Sequence, residues 1–136
     1  MAKKKTGRKK RIDGELTSLD KMLDIAIRLA SRARDRNQCV WCGSRLKLNT
    51  AHVIPKRNKH ALRWDMLNVV QLCCRCHLER WHKDPLEAAA WFRSEYPDRV
   101  SYLEARRGMD KHFTVQEKHN LLKYLNAMEK MYASRK

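Results

Sequence analysis

Cys39-Val40-Trp41-Cys42 and Cys73-Cys74-Arg75-Cys76-His77 are the most constraining stretches of this 136-residue chain. Each contains a C-x-x-C pair, and the two-residue gap lets both sulfurs of one turn approach a single tetrahedral ion at about 2.3 Å. Taken together, Cys39, Cys42, Cys73 and Cys76 read as a four-thiolate structural zinc site. Redox-active pairs share the spacing, but two of them in one short chain are much less common than a pair of zinc knuckles. The five cysteines are odd in number, which argues against a closed disulfide framework. Cys74 is left over as a free thiol, and it could replace Cys73 as a ligand only with poorer spacing.

Between the cysteine pairs, Leu46-Lys47-Leu48 reads as a short strand and Ala51-His52-Val53-Ile54 as another, stopped by Pro55. Lys56, Arg57, Lys59 and Arg63 form a basic connector and are the expected DNA-binding residues. Asn68-Val69-Val70-Gln71-Leu72 leads into the second pair, and Cys76 to Arg80 opens a helix. Strand, loop and helix clamped by zinc make up a core over residues 37–84.

The flanks are helical. Residues 1–14, with Lys3, Lys4, Lys5, Arg8, Lys9, Lys10 and Arg11, read as a basic disordered arm that can track phosphates. Leu16, Leu19, Leu23, Ala26, Ile27 and Ala30 recur at helical spacing and predict a helix within residues 15–36. Arg28, Arg32, Arg34 and Arg36 load its end, where cations suit the macrodipole, so part of the positive charge serves the helix. Residues 85–136 form a C-terminal helical region. In Asp84-Pro85-Leu86-Glu87, Asp caps, Pro occupies the first turn and Glu reaches back, and Pro97 ends the helix that follows. A short helix from Asp98 to Arg107 stops at Gly108. Thr114-Val115-Gln116-Glu117 is a capping box that opens a helix striped by Leu121, Leu125, Met128 and Tyr132. That stripe suits a homodimer as readily as an intramolecular core. The expected fold class is α+β, mostly helical, around one small β-metal centre.

Lys+Arg 31 against Asp+Glu 15 gives a formal charge of +16. Such a charge calls for a polyanion. Nucleic acid answers with phosphate contacts, whereas a membrane surface would call for a basic amphipathic helix with aromatic anchors. DNA, or RNA, is therefore the expected partner, and a membrane is not. At 43% hydrophobic with 4 Gly and 3 Pro, the chain is neither collagen-like nor disordered throughout. No apolar run approaches the roughly 18 residues of a membrane span, and no signal-peptide apolar region is present, so an intracellular location is the default.

In chain order the residues run Cys39-x-x-Cys42, His52, Asn68, Cys73-x-x-Cys76-His77, within the segments AHVIPKR, RWDMLNVVQLC and CRCHLERWH. This arrangement resembles the HNH nuclease family. With the sequel DPLEAAAWF it is similar to small phage-type HNH proteins, including the NinG/Rap-like recombination nucleases. The resemblance covers about a third of the chain, from Cys39 to Asp84. It implies a ββα-metal fold and hydrolysis of DNA phosphodiester bonds with one catalytic divalent ion, by nicking or by cleaving duplex or branched DNA. Mg2+ and Mn2+ are the first expectations for that ion, and histidine ligation suits Ni2+, Co2+ or Zn2+ as well. By this resemblance His52 is the general base, Asn68 holds the histidine-bearing loop, His77 binds the metal, and His82 is the next candidate ligand. The resemblance also implies phage packaging or recombination proteins as partners, and the host cytoplasm if the chain is phage-encoded.

Two departures from the family pattern stand out. The helix histidines are usually four apart, whereas His82 is five from His77, and on an ideal α-helix that turns the side chains about 140° apart. Ala51 stands where many HNH sites carry an Asp or His ligand. That leaves open whether His52 is base or ligand, and whether the catalytic metal has been lost. His60, His112 and His119 lie in polar, basic stretches and read as surface residues. Of the tryptophans, only Trp64 beside Arg63 is a candidate to touch DNA. The competing function is a zinc-stabilised DNA- or RNA-binding module without catalysis. The cysteines and the charge suit both readings, and His52, Asn68 and His77 favour the nuclease.

Overall fold

The computed structural model describes residues 17–56 and 61–135. The first helix, α1 (Ser18–Arg34), begins at a reciprocal cap. The Thr17 hydroxyl accepts the Asp20 N–H and the Asp20 carboxylate accepts the Thr17 N–H, both at 3.1 Å. Then follow β1 (Leu48–His52), a 3-10 turn (Met66–Asn68), β2 (Val69–Cys73) and a π-helix (Cys76–His82). The C-terminal helices are α2 (Pro85–Glu95), α3 (Pro97–Arg106) and α4 (Val115–Ala133). The fold is α+β and mostly helical, with β1 and β2 paired antiparallel so that His52 faces Val69 and Leu48 faces Cys73. The expected arm at residues 1–14 lies outside the described residues.

All five residues of β2 are buried, and the strand divides two apolar clusters. Val70 and Leu72 join Cys39, Ala51, Ile54, Phe92 and Leu103 on the cysteine side. Val69 joins Leu23, Ala26, Ile27, Trp64 and Leu125 beneath α1 and α4. Alternation along an extended strand sends neighbouring side chains to opposite faces, so one apolar run serves both cores. The Leu125 stripe is thus used within the chain. An ion pair between Lys118 and Asp20 at 2.7 Å adds to the α1–α4 contact.

The arginines at the end of α1 tie it to the sheet. Arg32 donates to the Leu48 carbonyl at 3.0 Å, and Arg34 donates to the carbonyls of Val69 (2.6 Å) and Met66. Asp35 pairs with Arg34 and accepts the Gln71 N–H at 3.0 Å. These bonds give α1 direct donors to the backbone of both strands.

Several local expectations change. The two short strands expected around Leu46–Leu48 and Ala51–Ile54 are one strand, β1. Lys47 has φ 50°, which breaks the chain just before Leu48. The N–H groups of Val53 and Ile54 are taken by Asn68 instead of a strand partner. At the start of α2, Asp84 accepts the Glu87 N–H at 3.1 Å, but its own N–H closes the preceding helix on the Arg80 carbonyl at 3.2 Å. The reciprocal half of that box is therefore pre-empted. The expected box at Thr114 and Glu117 forms in full. Tyr96 links α2 to α3, and α3 ends at Arg106, with no left-handed φ at Gly108.

Candidate metal centre and histidine cleft

The two cysteine turns converge where β2 meets the π-helix. The Sγ atoms of Cys39, Cys42, Cys73 and Cys76 all lie within 4.8 Å of one another, and those of Cys42 and Cys73 are 3.6 Å apart. Four sulfurs about 2.3 Å from one tetrahedral ion would sit roughly 3.8 Å apart, so the cluster could hold a metal ion such as zinc. The turns repeat each other: the Cys42 N–H points at Cys39 Sγ and the Cys76 N–H at Cys73 Sγ, both at 3.4 Å. Gly43, at φ 82°, closes the first turn by donating its N–H to the Cys39 carbonyl.

Crowding fits the same conclusion. Burial and the neighbouring sulfurs push the Cys76 thiol up. Burial also acts against ionisation of Cys39, but backbone hydrogen bonds at Cys73, Cys42 and Trp41 outweigh it and bring that thiol down to about 7. Ionised together, four sulfurs this close would need a cation among them. Cys74 stays outside the cluster, its N–H bonded to the Lys47 carbonyl at 2.9 Å. The stacked rings of Trp41 and Trp91, 4.3 Å apart and nearly parallel, join the first turn to α2.

A second site opens on the far side of β1. An open cleft of about 660 Å3 is lined by His52 from β1, His77 and His82 from the π-helix, Lys56 from the connector, and Asp24 and Arg28 from α1. The Nε2 atoms of His77 and His82 are 2.9 Å apart. In a π-helix the hydrogen bond runs i→i+5, so each residue lies nearly over the one five before it. Two such pairs share this segment. Cys76 is buried and Trp81 packs against the core, where it meets Phe92 with ring centroids 6.2 Å apart, while His77 and His82 line the cleft, with Trp81 at its inner edge.

His52 is half-buried at the end of β1. Its Nε2 lies 3.2 Å from the Arg63 carbonyl, which can only accept, so Nε2 carries the hydrogen and Nδ1 keeps its lone pair. Burial holds its pKa below the usual 6.5, so the ring is neutral at pH 7. His77 is shifted the same way, first by burial and then by the charge of His82.

Asn68 is 1% exposed and grips the turn after His52. Its Oδ1 accepts the Ile54 N–H at 2.8 Å, and its Nδ2 donates to the carbonyls of Ile54 (3.0 Å) and Leu62 (3.1 Å). Its own carbonyl accepts the Val53 N–H at 2.9 Å. Ala51, one residue from His52, is fully buried in the core beside Leu72 and Cys39. A carboxylate at that position would be a charge in an apolar cluster.

The basic connector is divided. Lys56 is exposed on the cleft, whereas Arg57 and Lys59 lie outside the described residues. Arg63, expected to meet DNA, is 2% exposed and pairs with Asp24 at 2.9 Å. Trp64, the other expected DNA contact, is buried and donates Nε1–H to the same carboxylate at 2.8 Å. Sequence reading missed Asp24 and took Arg28 for a helix-end residue. The one signal for Asp24 was an acid in the middle of a helix whose C-terminal half carries only basic charges. The chain matches no family model, no curated protein and no solved structure. The chemistry open to it therefore rests on its own residues.

Proposed function

We propose that the protein is a metal-dependent endonuclease of HNH type that hydrolyses DNA phosphodiester bonds, with β1, β2 and the π-helix as its ββα-metal element and zinc as a structural staple. One observation carries the reading. Three histidines share a basic cleft, two with their Nε2 atoms 2.9 Å apart and the third with its Nδ1 unprotonated.

Two imidazoles bound about 2.0–2.1 Å from one divalent ion at angles of 90–110° hold their nitrogens roughly 2.9–3.4 Å apart, so His77 and His82 fit as two ligands, with water completing the shell. When bound, that ion supplies Lewis-acid stabilisation to the phosphate and the leaving oxygen. The rest belongs to the chain. Neutral His52 takes a proton from water at Nδ1, while the Arg63 carbonyl holds the opposite edge of the ring. Asn68 fixes the turn that leaves His52, so the base keeps its aim through the reaction. Arg28 and Lys56 are exposed on the cleft and supply positive charge for the phosphates on either side. With Ala51 packed in the core, the metal falls to His77 and His82, and His52 is left for the proton.

A supercoiled-plasmid assay with Mn2+ or Mg2+ tests the proposal. Nicked product should form with the wild type and be lost with His52→Ala and with His77→Ala. Nicking that neither substitution changes would overturn the site. DNA binding without cleavage would favour the zinc-stabilised binding module.

A further inference from the structure

α1 carries none of the three histidines, yet one of its side chains reaches the orientation of His52. Asp24 accepts the Trp64 Nε1–H at 2.8 Å and the Arg63 Nε–H at 3.3 Å on one oxygen, and an Arg63 Nη2–H at 2.9 Å on the other. Arg63 and Trp64 flank a single peptide unit, and the carbonyl of that unit accepts from His52 Nε2. One carboxylate therefore anchors the side chains on both sides of the peptide that orients the imidazole. Arg63 and Trp64 are 2% and 4% exposed, so water has little access to replace either bond.

We infer that Asp24 is a positioning residue for His52, holding the Arg63–Trp64 peptide so that its carbonyl keeps the hydrogen on Nε2 and the lone pair on Nδ1. The inference rests on the reading of His52 as the base, and it gives α1 a part in the site beyond packing. Without the carboxylate, the Arg63 and Trp64 side chains lose their common acceptor and the peptide between them can tilt. A carbonyl that turns away no longer selects a tautomer, and His52 divides its hydrogen between Nδ1 and Nε2.

The test uses the full zinc-loaded chain and two readouts. Nitrogen-15 NMR of the imidazoles reports the His52 tautomer without any cleavage assay. The wild type should show the Nε2–H form alone, Asp24→Asn a mixture, and Trp64→Phe a smaller shift in the same direction. Trp64→Phe keeps an aromatic ring in the pocket while removing the donor and part of the indole's volume, and it serves if Asp24→Asn does not fold. In the plasmid assay, Asp24→Asn should lower kcat about 10–100-fold with KM nearly unchanged. A single Nε2–H tautomer and wild-type kcat in both variants would overturn the inference and leave the nuclease reading standing. A tautomer that responds to Asp24→Asn in a wild type that cleaves no DNA would uphold the positioning and overturn the nuclease reading.

Discussion

The Nε2 atoms of His77 and His82 lie 2.9 Å apart although five positions separate the residues. An α-helix would turn them about 140° away from each other. The π-helix instead stacks residues five apart, and the same winding puts Cys76 at the thiol cluster and packs Trp81 against the core. A helix with a conspicuous irregularity at a functional position is the usual setting for π geometry. Here it lets one short segment serve the thiol cluster on one face and the histidine pair on the other.

Divalent-ion binding at the pair should depend on both rings. His77→Ala and His82→Ala are each expected to weaken Co2+ or Mn2+ binding by about tenfold or more, as read by titration calorimetry on zinc-loaded protein. Wild-type affinity in His82→Ala would remove His82 from the site.

Cleavage should persist into mildly acidic solution. Burial lowers the pKa of His52 from 6.5, so the neutral base outlasts an exposed histidine as pH falls. At saturating metal, kcat should fall to half its plateau only below pH 6.5. A midpoint above pH 6.5 would mean that another group, or an imidazole of raised pKa, limits the reaction.

Removing zinc should unfold the cysteine-side core. Structural zinc contributes on the order of 10–16 kcal/mol, comparable to the whole stability of a typical domain. A strong chelator should therefore unfold residues 39–82, read as loss of their dispersed NMR signals, and Cys42→Ser should do the same. Cys74→Ser should leave zinc content and melting unchanged, because Cys74 takes no part in the cluster. Native spectra after zinc removal would contradict the structural role.

Asn68→Ala should cost about 2–4 kcal/mol in urea unfolding, because it strips partners from the buried backbone of Ile54 and Leu62. A loss below about 0.5 kcal/mol would show that water replaces the amide and that the turn holds itself.

Local signals in the sequence went a long way. The paired C-x-x-C spacing located all four clustered thiols, and the Thr114 box and the Leu23–Ala30 stripe located two helices with their buried faces. What the sequence hid depends on winding or on distant partners. The approach of His82 requires a π-helix, which no residue between it and His77 announces. Arg63 reads as a phosphate contact until Asp24, 39 positions away, is seen to hold it. The end of β1 at His52 depends on Asn68, which captures the next two N–H groups from another part of the chain.

The central claim is that His52 deprotonates water beside an ion held by His77 and His82. Single-turnover nicking of a supercoiled plasmid in Mn2+, run alongside DNA binding at the same salt, tests it most directly. His52→Ala should lower the nicking rate by about 100-fold or more while DNA affinity stays within about twofold of wild type. Nicking by His52→Ala at the wild-type rate would contradict it.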